Sequence, residues 1–324
     1  MKHPKISVIV PTYNEEENIA DCLRSIFAQK YPKNKLEVIV VDDSSTDMTV
    51  QMAKKFPVRV ISHNNKHGEV GKMIGFKKAT GDYAVYIDAD IRLRGRGWFG
   101  KMLLPLRNDP KIIGSFTRYY SRPSDPAIER YLSFDPLQRD SVYQHFSPSI
   151  DNVIVKKLAG YYLCEYSRDK IPPAGLCLYK RRELLEVVGG YKMFLELDFL
   201  VLLVAAGHRH FAYVPKAGLY HHHVSGLQEL IRKRLYNLNS VYLAREERLY
   251  RWFDLTSLRG VMRVFLWVVH ANLVIPSMVV GIYKSIRHQD IAGMYEPLIN
   301  FAITDLIIFS FLTDARIKSV FKNS

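Results

Sequence analysis

The chain has 324 residues, of which 48% are hydrophobic and 12% aromatic, so it is too apolar for a disordered chain and long enough to bury a full core. Its 46 lysines and arginines exceed its 32 aspartates and glutamates, and the resulting charge of +14 attracts nucleotides, nucleic acid or anionic lipid. The three cysteines show no CxxC spacing, so they support neither a disulfide framework nor a cysteine zinc site, and a reducing compartment fits best. No apolar stretch of signal-peptide length precedes the first predicted strand, so we expect this part of the chain in the cytoplasm.

Short β-branched runs alternate with amphipathic stretches through residue 90, which predicts βαβ units and a parallel sheet. The predicted strands cover residues 6–10, 36–41, 58–62 and 83–87. Asn14 is predicted to cap the first helix, and Ser44 or Ser45 the second, because short polar side chains bond the free N–H groups of a helix start. A third helix is predicted at 71–79.

The central and C-terminal parts follow other patterns. Residues 118–169 are irregular and predict loops and short helices on an acceptor-side surface, before strands return at 175–179 and 211–214. After Gly226, leucines at helical spacing are interrupted by basic residues, as in helices at a membrane surface. Apolar segments at 261–283 and 297–312 then favour a transmembrane helical hairpin over two buried core helices. We therefore predict domains at 1–225, 226–258 and 259–324.

Asp88 and Asp90 directly follow the fourth predicted strand, at the carboxyl edge of the sheet, where α/β proteins bind ligands. Carboxylate oxygens there suit Mg²⁺ or Mn²⁺ bridging a diphosphate. Taken alone the pair is a weak signal, because acidic turns after strands are common.

Two further strand ends carry polar clusters that are predicted to reach the same crevice. Asp42 and Asp43 end the second strand, where they can bind base or ribose or, alternatively, cap a turn. Residues 11–15 end the first strand, and their Tyr13 can pack against a base.

The segments 11–16, 41–45, 79–83 and 88–90 resemble the motifs of glycosyltransferase family 2 in order and spacing. The resemblance implies the GT-A fold, a Rossmann-like mixed sheet flanked by helices, here followed by amphipathic interface helices and a transmembrane hairpin. It also implies a nucleotide-diphospho-sugar donor, a divalent cation (Mn²⁺ or Mg²⁺) and inversion at the anomeric carbon.

The resemblance also assigns roles by matching motif positions. Nucleotide contacts fall to Pro11, Tyr13, Glu15, Asp42, Asp43, Lys72 and Asp88. Metal contacts fall to Asp90, with Asp88 beside it, and to His221. For Lys72, which would approach the phosphates, an exposed helix lysine is the alternative.

The second half of the chain departs from the family pattern at the catalytic base. The usual Glu-Asp pair, whose second residue is the base, falls on Leu195-Glu196. We favour Glu196 as the base, with Asp198 as the alternative, because inversion needs a carboxylate to accept the proton of a hydroxyl acceptor. A lipid phosphate acceptor, already ionised, would need no base.

Residues 228–234 are similar to the Gln-x-x-Arg-Trp segment of cellulose-synthase-like enzymes, without its Trp. Gln228, Arg232 and Arg234 are therefore candidates for binding diphosphate or a lipid headgroup, and a solvated helix face is the alternative.

Together these features predict a membrane-associated, metal-dependent, inverting glycosyltransferase. By similarity to dolichyl-phosphate mannose synthases we favour mannose from GDP-mannose, moved to a polyprenyl phosphate or lipid-linked glycan. A UDP-glucose-dependent glycolipid or polysaccharide synthase is the alternative. A basic nucleic-acid or membrane binding protein without catalysis is a third hypothesis, but acidic strand ends disfavour a nucleic-acid partner.

Overall fold

The computed structural model describes residues 3–173, 175–222, 224–239, 249–250 and 256–313. These residues form two compact units, the first within 1–120 and 148–222 and the second within 121–147 and 223–324. The division differs from the predicted boundary at residue 225, because residues 121–147 group with the C-terminal helices rather than with the sheet.

The strands of the first unit form two sheets. They are β1 (Ile6–Thr12), β2 (Leu36–Asp42), β3 (Arg59–Ser62), β4 (Tyr83–Tyr86), β5 (Ile91–Leu93), β6 (Ile112–Phe116), β7 (Tyr119–Tyr120), β8 (Ile154–Leu158), β9 (Tyr161–Glu165), β10 (Cys177–Lys180), β11 (His210–Tyr213) and β12 (Leu219–His221). Nine of them form a mixed sheet in the order β3-β2-β1-β4-β10-β6-β11-β9-β8, and a small sheet has the order β5-β12-β7. β1 pairs in parallel with β2 and β4, and β2 with β3. The predicted parallel arrangement of the first four strands is therefore confirmed.

The helices are distributed over both units. They are α1 (Ile19–Phe27), α2 (Thr49–Ala53), α3 (Gly68–Lys78), α4 (Trp98–Asn108), α5 (Ala127–Leu132), α6 (Ser141–Phe146), α7 (Arg181–Val188), α8 (Glu196–Ala205), α9 (Leu227–Asn237), α10 (Leu258–Asn272), α11 (Val274–His288) and α12 (Tyr295–Thr313). In the first unit α3 lies so close to β1 that a Cβ on Gly75 would come within 2.2 Å of the Ile9 side chain. This close packing holds α3 against the sheet.

The predicted helix caps are wrong. The helices begin later than predicted, at Ile19 and Thr49, while Asn14 and Ser44 lie in loops with φ of 51° and 60°. The polar side chains join the two loops instead. Asn14 Oδ1 accepts the Thr46 N–H at 2.9 Å, and Ser45 Oγ accepts the Asn14 N–H at 2.9 Å.

The interpretation of 118–169 as loops and short helices missed the β8–β9 hairpin, which lies at an edge of the large sheet. Lys156, Lys157 and Glu165 are exposed on these strands. Charged side chains are common on edge strands because they discourage further strand pairing, and they hide the apolar pattern that predicts a strand.

The second unit is helical and has its own core. Leu132, Phe146, Leu230, Trp267 and Ile303 are buried together. Buried polar groups also link the helices, because Glu296 accepts hydrogen bonds from Tyr131 Oη at 2.6 Å and Asn300 Nδ2 at 3.1 Å, and also pairs with Lys284.

The predicted hairpin takes a different form in its first segment. Residues 261–283 are divided between α10 and α11, whose axes bend by 79° at Leu273. Pro276 lies in the first turn of α11, where its missing N–H leaves no helical bond unmade. Among the described residues, Ile291–Thr313 is long and apolar enough to cross a membrane, and the bent pair would make a second span if it counts as one. The predicted segment 297–312 lies within it.

Parts of the predicted membrane segments, residues 240–248, 251–255 and 314–324, lie outside the described residues. Within the described part, large apolar side chains are exposed along α10 and α11. They include Leu258, Phe265, Leu266, Ile275, Val279 and Ile286.

Candidate active site

The loop after β1 presents an exposed aromatic ring. Pro11 is buried in the strand, whereas the Tyr13 side chain is 56% exposed and open to stacking. The Glu15 N–H donates to Thr49 Oγ1 at 2.7 Å, so this loop is held against the start of α2.

Asp42 and Asp43 at the end of β2 are buried and both organise loops. Asp42 accepts hydrogen bonds from the N–H and hydroxyl of Ser45, as the turn-capping interpretation expects. Asp43 accepts three backbone N–H bonds, from residues 65, 66 and 67, at 2.6–3.0 Å. This carboxylate therefore shapes the loop that leads into α3.

Lys72 is not the exposed helix lysine of the alternative interpretation. Its side chain is 12% exposed, and its Nζ lies 3.0 Å from Glu69 Oε1 and 3.4 Å from Asp88 Oδ1. The same ammonium group lies 4.3 Å from the centre of the Tyr86 ring. The neighbouring carboxylates of Asp88 and Glu69 hold the pKa of Lys72 above its usual value against the effect of burial, so the group stays charged.

Asp90 and His221 come together through the small sheet. β12 pairs antiparallel with β5 so that His221 stands opposite Ile91, and His221 Nε2 lies 3.3 Å from Asp90 Oδ2. Both side chains are 16% exposed. The sequence-predicted partners Asp88 and Asp90 thus have different surroundings, one beside Lys72 and the other beside His221.

A carboxylate oxygen and an imidazole nitrogen this close are a donor set that suits Mn²⁺. Among the described residues no group of three or more His, Cys, Asp or Glu side chains could hold a metal. A cation bound by Asp90 and His221 would therefore take its remaining ligands from a diphosphate and water, as divalent cations in phosphate sites commonly do.

Glu196 begins α8 and lies beside the same cluster. Its Oε2 accepts the Tyr86 hydroxyl at 2.8 Å. Burial raises the pKa of Glu196 to about 7, although the Tyr86 hydrogen bond and Lys72 oppose the rise. Asp198 is also buried, but residues two positions apart on a helix point to different faces.

Tyr86 and Glu69 were not among the residues predicted from the sequence. Both stand at spacings that link them to predicted residues, since Tyr86 precedes Asp88 by two positions along the chain and Glu69 precedes Lys72 by one helical turn. Their spacing from Asp88 and Lys72 could have identified them as candidates. In sequence, however, both also look like ordinary strand and helix residues.

The candidates on α9 belong to the second unit and divide into two kinds. Gln228 and Arg232 are exposed and one turn apart, whereas Arg234 Nη2 lies 2.6 Å from Oδ2 of Asp140, whose side chain is 1% exposed. The Arg234 guanidinium also lies 5.3 Å from the centre of the Tyr143 ring. Arg234 therefore contacts Asp140 and Tyr143 within the helical unit.

Comparison with known proteins points to one family. Residues 7–154 match the model of glycosyl transferase family 2. Glycosyltransferase AglE of Haloferax volcanii is 28% identical over 162 residues, 48% of this chain and 53% of that protein. A dolichol-phosphate mannosyltransferase of Pyrococcus furiosus is 36% identical over 134 residues, 40% of this chain and 34% of that protein. The chain thus spans about half or less of the length of these relatives.

A solved structure extends the likeness to nearly the whole chain. The mannosyltransferase PcManGT from Pyrobaculum calidifontis, in complex with GDP-Man and Mn²⁺, superposes with a TM-score of 0.56. It is 20% identical, and the match covers 97% of this chain and 88% of that one. At this identity the likeness concerns the fold, which is the predicted GT-A architecture. Residues 7–154 are therefore similar to glycosyltransferase family 2, and the chain has the GT-A fold and is similar to dolichol-phosphate mannosyltransferases.

Proposed function

We propose that the protein is a metal-dependent, inverting glycosyltransferase that moves a hexose from a nucleotide-diphospho-sugar to a lipid-linked acceptor. The observation that carries the proposal is the contact between His221 and Asp90, 3.3 Å apart, at the sheet edge where Lys72 pairs with Asp88. Mannose from GDP-mannose is the favoured donor. The bound donor in PcManGT and the name of the Pyrococcus relative support this choice.

In this proposal the two carboxylates have separate tasks. Asp90 and His221 would hold Mn²⁺ or Mg²⁺, and the bound cation would supply positive charge to neutralise the departing nucleoside diphosphate. Asp88 and Lys72 form the adjoining wall, where the ammonium group attracts phosphate oxygens. Charge of this kind, fixed before the reaction, stabilises a developing anion without reorganisation.

The donor nucleoside lies against the ends of β1 and β2. Tyr13 stacks on the base, and Pro11 and Glu15 border the same loop. Asp42 and Asp43 keep the loops in place through their hydrogen bonds to Ser45 and to residues 65–67.

Glu196 is the proposed base for a hydroxyl acceptor. A carboxyl with a pKa of about 7 is partly ionised at neutral pH, and its ionised form is a stronger base toward the attacking hydroxyl than a carboxylate of ordinary pKa. Asp198 stays the alternative. If the acceptor is a lipid phosphate, neither residue takes a proton.

The proposed location is the membrane, with the catalytic unit in the cytoplasm. The apolar helix at Ile291–Thr313 and the exposed apolar side chains of α10 and α11 support membrane association. Gln228 and Arg232 on α9 are the proposed contacts to a diphosphate or lipid headgroup.

A thermal-shift screen of GDP-, UDP- and dTDP-sugars with Mn²⁺ tests the proposal, because a ligand that binds the folded state raises the melting temperature. We expect one nucleotide class to stabilise the wild type and the Asp169→Ala control, in which an exposed carboxylate is removed, but not Asp90→Ala. The proposal fails if no nucleotide sugar binds or if Asp90→Ala behaves as the wild type. Steeply salt-dependent binding to random oligonucleotides without nucleotide-sugar binding would favour the nucleic-acid hypothesis.

A further inference from the structure

Tyr86 lies between Lys72 and Glu196 and contacts both. It is the last residue of β4, two positions before Asp88, and it is 5% exposed. Its hydroxyl donates to Glu196 Oε2 at 2.8 Å, while Lys72 Nζ lies over its ring at 4.3 Å. The ring is thus fixed on one face by a cation and at its tip by the carboxylate.

The other carboxylate oxygen of Glu196, Oε1, differs from Oε2 in its hydrogen bonding. Oε1 is buried and has no hydrogen-bond donor in the described structure. Burying a carboxylate oxygen without a hydrogen-bond donor costs free energy. A substrate hydroxyl that donates a hydrogen bond to Oε1 would remove this cost. Because Tyr86 occupies Oε2, Oε1 is the atom left to receive a proton.

We infer that Tyr86 is a positioning residue: its hydroxyl holds Oε2 of Glu196 and thereby reserves Oε1 for the proton of the acceptor hydroxyl. The inference rests on the proposed role of Glu196 as base. During attack the acceptor O–H proton passes to Oε1, the acceptor oxygen bonds the anomeric carbon, and the bond from that carbon to the diphosphate oxygen breaks, so that the leaving diphosphate carries the electron pair. Tyr86 keeps its own proton throughout.

The charged and titratable groups around Glu196 come from several elements, and they act on its ionisation together with burial. They are Glu69 and Lys72 from α3, Tyr86 and Asp88 from β4 and the loop after it, Tyr119 from β7, Tyr166 after β9, and Cys177 and Tyr179 from β10. Tyr86 stabilises the ionised carboxylate by hydrogen bonding, so its removal moves the pKa of Glu196 upward.

Tyr86→Phe tests the inference, with Tyr83→Phe on the same strand as the matched control. The assay follows nucleoside diphosphate release from GDP-mannose, and in parallel from UDP-glucose, with water as the acceptor. We expect Tyr86→Phe to lower kcat/KM at neutral pH about tenfold, to move the acidic limb of its pH profile up by about one unit, and to leave the donor KM unchanged. Tyr83→Phe keeps the wild-type profile.

A second measurement needs no substrate. In protein labelled with ¹³C at the glutamate carboxyl groups, the NMR signal of Glu196 is identified by its loss in Glu196→Gln, and its titration is compared between the wild type and Tyr86→Phe. An unchanged titration together with an unchanged kcat/KM profile overturns the role of Tyr86. A shifted titration with full hydrolysis by Glu196→Gln leaves the Tyr86 contact established and rejects Glu196 as the base, so the two failures are distinguishable.

Discussion

Lys72 Nζ lies 3.4 Å from Asp88 Oδ1, and this ion pair joins α3 to the loop after β4. The same lysine faces Glu69 and Glu196, so one cation balances three carboxylates. Its removal leaves like charges close together in a partly buried place.

Replacing Lys72 tests how much this ammonium group contributes to the stability of the fold. We expect Lys72→Met to lower the free energy of unfolding by about 2 kcal/mol, less than for a fully buried pair because the carboxylates are partly exposed. Urea unfolding measures the change. Lys78→Met, which removes an exposed lysine of the same helix, is the control, and an equal effect of both variants would contradict the burial argument.

His221 and His222 are adjacent in the chain, but only His221 is proposed to bind the metal. His221 lies beside Asp90, whereas His222 contacts Arg92. We expect His221→Ala to weaken Mn²⁺ binding about tenfold or more and His222→Ala to change it little, since only the first removes a ligand. Electron paramagnetic resonance of free Mn²⁺ in the presence of GDP gives the affinity. Equal weakening by both variants would reject His221 as the ligand.

The raised pKa of Glu196 also predicts a pH-dependent stability. A carboxyl whose pKa is about 7 when folded and lower when unfolded stabilises the fold in its protonated form, and this contribution is lost as the pH rises through 7. We expect the free energy of unfolding of Glu196→Gln to equal that of the wild type at about pH 4. At about pH 8 we expect the variant to be more stable by about 2 kcal/mol. Chemical unfolding across this range, with the exposed Glu186→Gln as control, measures the difference. A difference independent of pH would exclude the raised pKa.

Arg234 and Arg232 lie on α9 and are expected to have different roles. Arg234 should contribute to stability and Arg232 to ligand binding. Removing Arg234 leaves the buried carboxylate of Asp140 without this partner, so we expect Arg234→Ala to reduce the free energy of unfolding by about 3 kcal/mol. Arg232→Ala should unfold as the wild type because its side chain is exposed. Thermal unfolding of the two variants measures the difference in stability. If Arg234→Ala is as stable as the wild type and loses only lipid binding, Arg234 binds the headgroup instead.

Ile275, at the bend between α10 and α11, is 76% exposed. If this face enters a bilayer, a charge there is costly, and we expect Ile275→Asp to reduce binding to anionic phospholipid vesicles about tenfold. Vesicle flotation measures the bound fraction. Val155→Asp, an equivalent change at an exposed apolar residue of β8, serves as the control, and an unaffected Ile275→Asp protein would argue against bilayer contact at the bend.

The sequence by itself determined the strand-end motifs and the fold class. Alternating β-branched runs and helices are local patterns, and the rule that parallel strands end at one edge brings Asp42, Asp88 and their neighbours together without further information. Separate tasks for Asp88 and Asp90 were predicted from the family resemblance, and they stay a prediction. The structure gives the two residues different neighbours, Lys72 and His221. The caps predicted at Asn14 and at Ser44 or Ser45 are wrong, because Asn14 and Ser45 bond across to the neighbouring loop instead, and such long-range contacts are not visible in the local sequence.

Only the tertiary structure decided which distant residues meet. Tyr86 and Glu196 are separated by 110 positions, and His221 reaches Asp90 only because β12 pairs with β5. No local pattern encodes these contacts, since they depend on the order in which non-consecutive strands pair. The burial that raises the pKa of Glu196 and encloses Lys72 has the same origin, because it is set by the packing of α3 and α8 around the sheet rather than by the residues beside them in the chain.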